Sequence, residues 1–343
     1  MTMAHLGQGS MKNGKVKRVS IGMTDTTFYR FDPHLGFWGI PNIERDAMFP
    51  QCRDAVIRVR HNAEGNRDKS FVPAPRRDAI LCAGGSHTWG AGVPQERRFS
   101  DLLEERTGIL VFNIGHVSMG LDQICLAIMT KSDFYSPSVI VVEQYPWAIH
   151  RILNTYVVGF LRPHFYFDAN GRLKLQKVPK VARLKVVRRM IGAFYAYRKE
   201  LLEFRAGIDL KEGYDPRTDP IFLHWKAPYY EYMYRLADGI LCAIRDFCGQ
   251  KKIRLLFALN VIAQQFGKKS ESSLIDYDLP RKRLSALLEK NRIPYVDMTE
   301  PMLAAHSPDD PVVFPDGHIN VKGNDIFARG LDDKLRELGW ITR

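Results

Sequence analysis

Two glycine-containing segments, far apart in the chain, carry a serine, an aspartate and a histidine. Ser86 stands in GGSHTWG, residues 84–90, whereas Asp316 and His318 flank one glycine in FPDGHIN, residues 314–320. A serine hydroxyl becomes a nucleophile when an imidazole takes its proton, and a carboxylate can hold that imidazole in the required tautomer. The spacing of two allows Asp316 to meet one ring nitrogen while the other faces Ser86. These three residues are therefore candidates for a nucleophile, its base and the carboxylate that orients the base.

Each segment also has a plainer interpretation. A serine in a glycine-rich turn commonly caps a helix, and Asp-Gly-His is a common turn sequence. The first segment is not the GxSxG nucleophile elbow, because position 88 is threonine. The positions of the two segments relative to the predicted strands favour catalysis, since Ser86 follows the first strand and His318 follows the last.

Five short apolar runs predict the elements that position these residues. The runs are unbroken rather than alternating, which is typical of buried parallel strands: residues 79–83, 109–113, 139–143, 253–259 and 294–298. Apolar residues at helical spacing lie between them and after the last. Strands that alternate with helices predict an α/β fold with a doubly wound parallel sheet, whose ligand site lies beyond the carboxyl ends of the strands. At the head of a helix, Ser86 would also benefit from the positive end of the helix dipole.

The sequence predicts four parts. Residues 1–23 form a leader or N-terminal tail, residues 24–78 an arm packed on the core, and residues 79–150 with 239–343 the core itself. Residues 151–238 form a basic, aromatic-rich helical insertion. Two interpretations of this insertion stay open: an ordinary helical pair with a solvated cationic face, or a lid that contributes substrate contacts.

Charge, cysteine content and apolar runs indicate which partners and which cell compartment to expect. The net charge of +12 suits an anionic partner, such as a small-molecule or carrier-linked acyl substrate. The five cysteines form no CxxC pair, which indicates thiols rather than a zinc site or a disulfide framework. No run resembles a signal peptide or a membrane span, so we expect a cytoplasmic protein. No metal-ligand spacing or nucleic-acid module occurs, and we expect no metal, cofactor or nucleic-acid partner.

Four segments, in chain order, resemble the sequence blocks of the SGNH (GDSL-like) hydrolase superfamily, in particular its bacterial branch with a leading arm. They are FDPHLGFWGIPN at 31–42, GGSHTWGAGV at 84–93, NIGHVSMGLDQ at 113–123 and PDGHINVKGN at 315–324. The resemblance implies a three-layer α/β/α fold with a five-stranded parallel sheet of flavodoxin-like type. It also assigns Ser86 as nucleophile, His318 as base and Asp316 as the carboxylate that orients it.

The resemblance further implies an oxyanion site, from which this sequence departs. Gly85 replaces the usual aspartate before the serine, and Ser118 replaces a glycine whose backbone N–H faces the oxyanion. Gly120 matches the next glycine of that block. A non-glycine residue at a positive φ would cost energy. The asparagine that usually follows the third strand as an oxyanion donor is absent, and Gln144 and the indole of Trp147 are the substitutes that we predict.

Further polar residues follow the strands. Glu143 ends the third strand, where a carboxylate would oppose an oxyanion unless it faces away or handles a proton. His87 and His116 are interpreted as hydrogen-bonded loop histidines, although His87 also falls within the predicted substrate site. Three functions stay open: a serine esterase or deacylase, an acyltransferase with the same triad, and an SGNH-fold protein that is catalytically silent or repurposed for chemistry at Glu143.

Overall fold

The structure is a computed structural model and describes residues 19–20, 27–49, 56–71, 78–184, 186–187, 189–191, 220–224, 228–267 and 275–342. Its strands, in chain order, are β1 (Val19–Ser20), β2 (Tyr29–Asp32), β3 (Gly36–Gly39), β4 (Glu44–Met48), β5 (Val56–Arg60), β6 (Ala79–Ala83), β7 (Leu110–Asn113), β8 (Val139–Gln144), β9 (Tyr156–Val157), β10 (Phe160–Leu161), β11 (His164–Phe167), β12 (Leu173–Gln176), β13 (Arg254–Leu259) and β14 (Tyr295–Asp297).

The α-helices are α1 (Ser86–Trp89), α2 (Phe99–Thr107), α3 (Leu121–Tyr135), α4 (Pro228–Gln250), α5 (Leu279–Lys290), α6 (Thr299–Ala305) and α7 (Val321–Glu337). Short 3-10 helices cover Gln95–Arg97, Pro146–Leu153, Lys180–Arg183, Pro220–Phe222 and Ala263–Phe266. The helix Pro146–Leu153 directly follows β8, where its proline supplies the fixed φ that suits a first helical turn.

The predicted α/β fold is confirmed. Strands β14, β13, β8, β6 and β7 form one sheet in that order, and every neighbouring pair is parallel. All five apolar runs of the sequence form these strands, and four of them differ from the strand by one residue at one or both ends. Short continuous apolar runs can be buried on both faces, as a parallel sheet between two helical layers requires.

Side chains from alternate positions of the strands enter two separate cores, because successive residues of a strand point to opposite faces. Leu81 and Ile140 belong to the core that packs against α3, α4 and α5. Ile80 and Val141 belong to the core that packs against α2, α6 and α7. The sheet therefore lies between two helical layers, as the three-layer prediction stated.

The arm packs on the first of these cores through buried aromatic residues, including Phe28, Phe37 and Trp38. Strands β2 and β3 form a hairpin, whereas β1, β4 and β5 form a separate sheet. Asp68, beyond β5, accepts the backbone N–H of Asn113 at the end of β7 (2.9 Å). These contacts tie the arm to the carboxyl ends of the core strands, where the predicted site lies.

The predicted helical insertion differs from the structure in two ways. Up to residue 184 it forms hairpins and 3-10 turns: β11 pairs with β12 across a turn in which Asp168 accepts two backbone N–H groups. The predicted boundary at residue 238 also falls inside α4, whose first half carries the aromatic run from Tyr229 onwards. The basic residues at 198–199 and Trp225 lie outside the described residues.

Four cysteines, Cys82, Cys125, Cys242 and Cys248, are free thiols, whereas Cys52 lies outside the described residues. Burial raises the pKa of Cys248 to about 12, so it is a neutral thiol at ordinary pH. No helix in the described part of the chain has the length and apolarity that crossing a membrane requires.

Candidate active site

Ser86, His318 and Asp316 form a continuous chain of hydrogen bonds. His318 Nε2 lies 2.8 Å from Ser86 Oγ, and His318 Nδ1 lies 2.9 Å from Asp316 Oδ2. Asp316 Oδ1 also accepts the backbone N–H of His318 at 3.1 Å. In this arrangement the imidazole can accept the serine proton at Nε2 while its Nδ1–H donates to the carboxylate. The structure therefore brings the two predicted segments together.

Close packing fixes the segment that holds Ser86. Strand β6 ends at Ala83, and a Cβ placed on Gly84 would lie 2.0 Å from Thr88 Oγ1 and 2.8 Å from a carboxylate oxygen of Glu143. Only glycine fits at such a distance. Ser86 begins the short helix α1, beyond the carboxyl end of β6, and is 5% exposed. Its hydroxyl therefore has little access to water.

A tight loop before α7 positions the other two residues. Gly317, between them, has φ +88, and a Cβ on it would lie 2.6 Å from the Cβ of Ala263. The backbone N–H of Phe314 donates to the carbonyl of His318 (2.7 Å), which closes the loop. Partial burial acts to raise the pKa of Asp316, but hydrogen bonds and the nearby charge of His318 outweigh it and hold that pKa below its ordinary value. Asp316 is therefore ionised at neutral pH.

Next to the triad lies a narrow cleft with a volume of about 10 Å³, lined by residues 85–87, 119, 124, 143–145, 148 and 151. A larger cleft, of about 420 Å³, lies at the arm and is lined by Asn42, Glu44, Arg60 and Lys69 among others. Neither Ser86 nor His318 borders the larger cleft. The smaller cleft is therefore the one that the predicted nucleophile borders.

Glu143 is buried in the wall of the small cleft, 1% exposed. Its carboxylate accepts hydrogen bonds from Thr88 Oγ1 (3.0 Å) and Asn260 Nδ2 (3.3 Å), and a further one from the backbone N–H of Gly85. Burial raises its pKa above the ordinary value, and these donors counteract that rise. The oxygens of Glu143 thus face the loop that carries Ser86 and fix it in place.

The two histidines of the strand-end loops differ in their surroundings. His87 packs between His318 and Tyr145, with ring centroids 4.9 Å apart in each pair, and its Nδ1 accepts the backbone N–H of Ile319 (3.4 Å). Burial keeps its pKa well below 6.5. His116 is fully buried 4.0 Å from the ring of Trp38, with no hydrogen-bond partner for either nitrogen among the described residues. The expected hydrogen bonds of a loop histidine are thus found for His87 only.

The residues predicted for the oxyanion site differ in whether they present a hydrogen-bond donor to the cleft. Ser118 has φ +64, the left-handed conformation that a glycine favours, and Gly120 is the N-cap residue of α3. Gln144 lines the cleft, but its side-chain N–H donates to the carbonyl of Tyr145 (2.9 Å). Trp147 meets the ring of His150 edge to face, with centroids 4.6 Å apart, and does not line the cleft. Neither predicted substitute for the asparagine therefore presents a donor to the cleft in this structure.

Arg151 lines the same cleft and was missed from the sequence. It follows β8 by seven residues, in the 3-10 helix Pro146–Leu153, and was grouped with the cationic insertion. Its Nη1 donates to the carbonyl of Met119 at 3.4 Å. The sequence did contain a signal for Arg151: a helical turn that directly follows the third strand keeps its residues near the strand's carboxyl end.

No group of three or more histidine, cysteine, aspartate or glutamate side chains that could hold a metal occurs in the described residues.

The sequence matches no protein-family model and no curated protein. Solved structures to which the chain is similar include the psychrotrophic esterase EstA from Pseudoalteromonas sp., at 12% identity and TM-score 0.42, covering 76% of this chain and 98% of that one. A member of the lipolytic protein G-D-S-L family from Veillonella parvula DSM 2008 has 14% identity and TM-score 0.41, with 76% and 98% covered. The lipase/acylhydrolase from Enterococcus faecalis has 10% identity and TM-score 0.43, with 78% and 98% covered.

Proposed function

We propose that this protein is an SGNH-type serine hydrolase that cleaves carboxylic esters through an acyl-enzyme on Ser86. The observation that supports it is the hydrogen-bonded chain from Ser86 Oγ through His318 to Asp316, at 2.8 and 2.9 Å, beside a cleft that Ser86 itself lines. Nucleophile, base and orienting carboxylate have the contacts that each role requires.

In the proposed reaction, Ser86 Oγ forms a bond to the acyl carbon while its proton passes to His318 Nε2. The carbonyl π electrons move to the oxygen, which becomes an oxyanion held by the backbone N–H groups of Ser86 and Ser118. Collapse of this intermediate expels the alcohol, which takes the proton from His318. Water then attacks the acyl-enzyme with His318 again as base, and the acid and free Ser86 result.

The substrate is proposed to be anionic, either a small molecule or a carrier-linked acyl group, because the chain carries a net charge of +12. Steering by such a field weakens with salt. We expect kcat/KM for an anionic acyl ester to exceed that for a neutral ester of matched reactivity, and the difference to shrink between 0.05 and 0.5 M salt, concentrations chosen to span roughly a threefold change in screening length. Equal, salt-independent values would contradict the anionic substrate.

Labelling with a small fluorophosphonate, read by intact mass, tests the function itself. We expect one adduct on the wild-type protein, and none on Ser86→Ala or His318→Ala. Ser285→Ala is the matched control, because that hydroxyl donates to Arg281 O on α5, away from the cleft, and it should label like wild type. A folded wild-type protein that takes no label would overturn the proposal in favour of a catalytically silent fold.

Products made from a reactive acyl ester, with and without added alcohols or amines, separate hydrolysis from transfer. We expect the free acid to dominate in water. If a hydroxyl acceptor captures most of the acyl group at millimolar concentration, the protein is an acyltransferase with the same triad, since both reactions share the acyl-enzyme.

A further inference from the structure

Arg151 lies at the edge of the cleft where the attacked carbonyl would be bound. It lines the cleft together with Ser86, and its Nη1 would be 3.9 Å from a Cβ placed on Gly85, the residue directly before the serine. The 3-10 helix Pro146–Leu153 puts it there: Ile149 and Ile152 are buried in the core, and Arg151 between them faces the cleft. The position of Arg151 is therefore set by the 3-10 helix that follows β8.

The guanidinium of Arg151 has few partners. Among the described residues, its single hydrogen bond goes to the carbonyl of Met119 at 3.4 Å, and its central carbon lies 5.9 Å from the centre of the Trp147 ring. It forms no ion pair within 4.0 Å with a carboxylate of the described residues. Neighbouring Arg162, by contrast, is paired with buried Asp122. Burial and then the charge of Arg162 lower the pKa of Arg151 to about 10, so it stays charged at neutral pH. Glu143, in the wall of the same cleft, acts on Arg151 through its charge but makes no hydrogen bond to it. A partly buried cation without a directly bonded anion indicates a site where negative charge arises.

Other polar side chains that line the cleft already have hydrogen-bond partners within the protein. The amide of Gln144 donates to Tyr145 O, and the oxygens of Glu143 accept from Thr88, Asn260 and Gly85. A side-chain donor beside the oxyanion must be free to form a short bond to an oxygen that is not yet charged in the resting enzyme. Arg151 satisfies this, because a 3.4 Å contact to a neutral carbonyl is easily exchanged for a charge-assisted one.

We propose that Arg151 is a catalytic residue whose guanidinium donates a charged hydrogen bond to the oxyanion formed when Ser86 attacks the acyl carbon. This inference rests on the proposed serine-hydrolase function. It adds a side-chain donor to the two backbone N–H groups. No proton leaves Arg151 in the step, since the serine proton goes to His318 and the carbonyl electrons stay on the oxygen that the guanidinium binds.

The rate of phosphonylation by a small, neutral fluorophosphonate tests the inference, because the phosphoryl oxygen gains negative charge as Ser86 attacks. We compare wild type, Arg151→Gln and Arg151→Lys, with Arg254→Gln as the matched control. Arg254 also donates to a carbonyl, that of Trp340, but it is exposed at the opposite end of the sheet. We expect Arg151→Gln to label about 10²- to 10³-fold more slowly, Arg151→Lys to fall between, and Arg254→Gln to match wild type.

Ester kinetics separate an oxyanion donor from a receptor for a charged substrate group. We expect Arg151→Gln to lower kcat by a similar factor for a neutral acetate ester and for an anionic succinate monoester, with KM little changed. Equal labelling of wild type and Arg151→Gln, or a loss confined to KM of the anionic ester, would overturn the inference while the proposed function stood. Absence of label on wild type, by contrast, would overturn the proposed function and this inference with it.

Discussion

Thr88 Oγ1 donates a hydrogen bond to Glu143 Oε2 at 3.0 Å, which joins the segment after β6 to the end of β8, the central strand of the sheet. The parallel pairing of β6 with β8 makes this possible, because Ala83 is in register with Val142. The residues that follow each of them therefore leave the sheet side by side at the same edge. The carboxylate that the sequence placed near the oxyanion therefore serves to fix the segment 84–88, with Gly85 N–H and Asn260 as its other donors.

Glu143→Gln should impair activity less than Ser86→Ala. The amide replaces one acceptor oxygen by an NH₂ group that faces a donor, and an unsatisfied buried donor costs about 1 to 3 kcal/mol. We expect labelling by the fluorophosphonate to slow by about 10-fold, because the loop is displaced but the triad remains. A larger loss than that of Ser86→Ala, measured on any substrate, would instead support acid or base chemistry at Glu143.

Gly317→Ala should uncouple His318 from Asp316. The backbone of Gly317 has φ +88 and approaches Ala263, so a methyl group is strained both by conformation and by contact. We expect the variant to lose about 1 to 3 kcal/mol of unfolding free energy and most of its labelling rate. Urea denaturation and labelling measure the two effects. Gly171→Ala is the control, because that glycine also has a positive φ but has nothing within 4 Å of its Cβ position and lies far from the triad.

Ser118 should tolerate glycine and reject valine. Its φ of +64 is easy for glycine and unfavourable for a β-branched residue. We expect Ser118→Gly to stay within about 1 kcal/mol of wild type, because relief of strain offsets the entropy that glycine adds to the unfolded chain. Ser118→Val should lose about 2 to 3 kcal/mol. Both are read from urea denaturation, and labelling that survives in Ser118→Gly would agree with a backbone rather than a side-chain role.

Buried His61 should make the protein sensitive to acid. Burial, with the charges of Arg67 and Arg45, lowers the pKa of His61 to about 4 against an ordinary 6.5, although its hydrogen bond to Ile40 acts the other way. Since the unfolded chain binds the proton first, stability present above pH 6.5 is lost as the pH falls to 4, by up to about 3 kcal/mol.

We test this with His61→Asn, whose amide can still donate to Ile40 O. The difference in unfolding free energy between wild type and variant, measured by urea denaturation, should fall steadily between pH 6.5 and 4. Other groups that titrate there, such as Asp68 with its raised pKa of about 6, are present in both proteins and cancel in the difference. Parallel curves over this range would show that His61 does not titrate as expected.

The sequence by itself determined the strands of the core and the segments of the triad. The apolar runs could be read locally, because a strand buried on both faces must be apolar at every position, and Ser86, Asp316 and His318 follow the first and last of them. The hairpin β11–β12 was missed because the whole of residues 151–238 was assigned to a helical insertion, although Leu173–Gln176 alternates apolar and polar residues as a strand does.

Only the tertiary structure decided which side chains meet at the site. His318 reaches Ser86 across 232 positions, and neither Glu143 nor Arg151 has a neighbour in sequence that reveals its contacts. Gln144 and Trp147 stood at suitable positions after β8, yet local geometry commits one to Tyr145 O and turns the other toward His150. Sequence patterns report burial along one element, whereas the direction of a polar side chain at a strand end depends on the register of its neighbours and on the donors and acceptors that they bring.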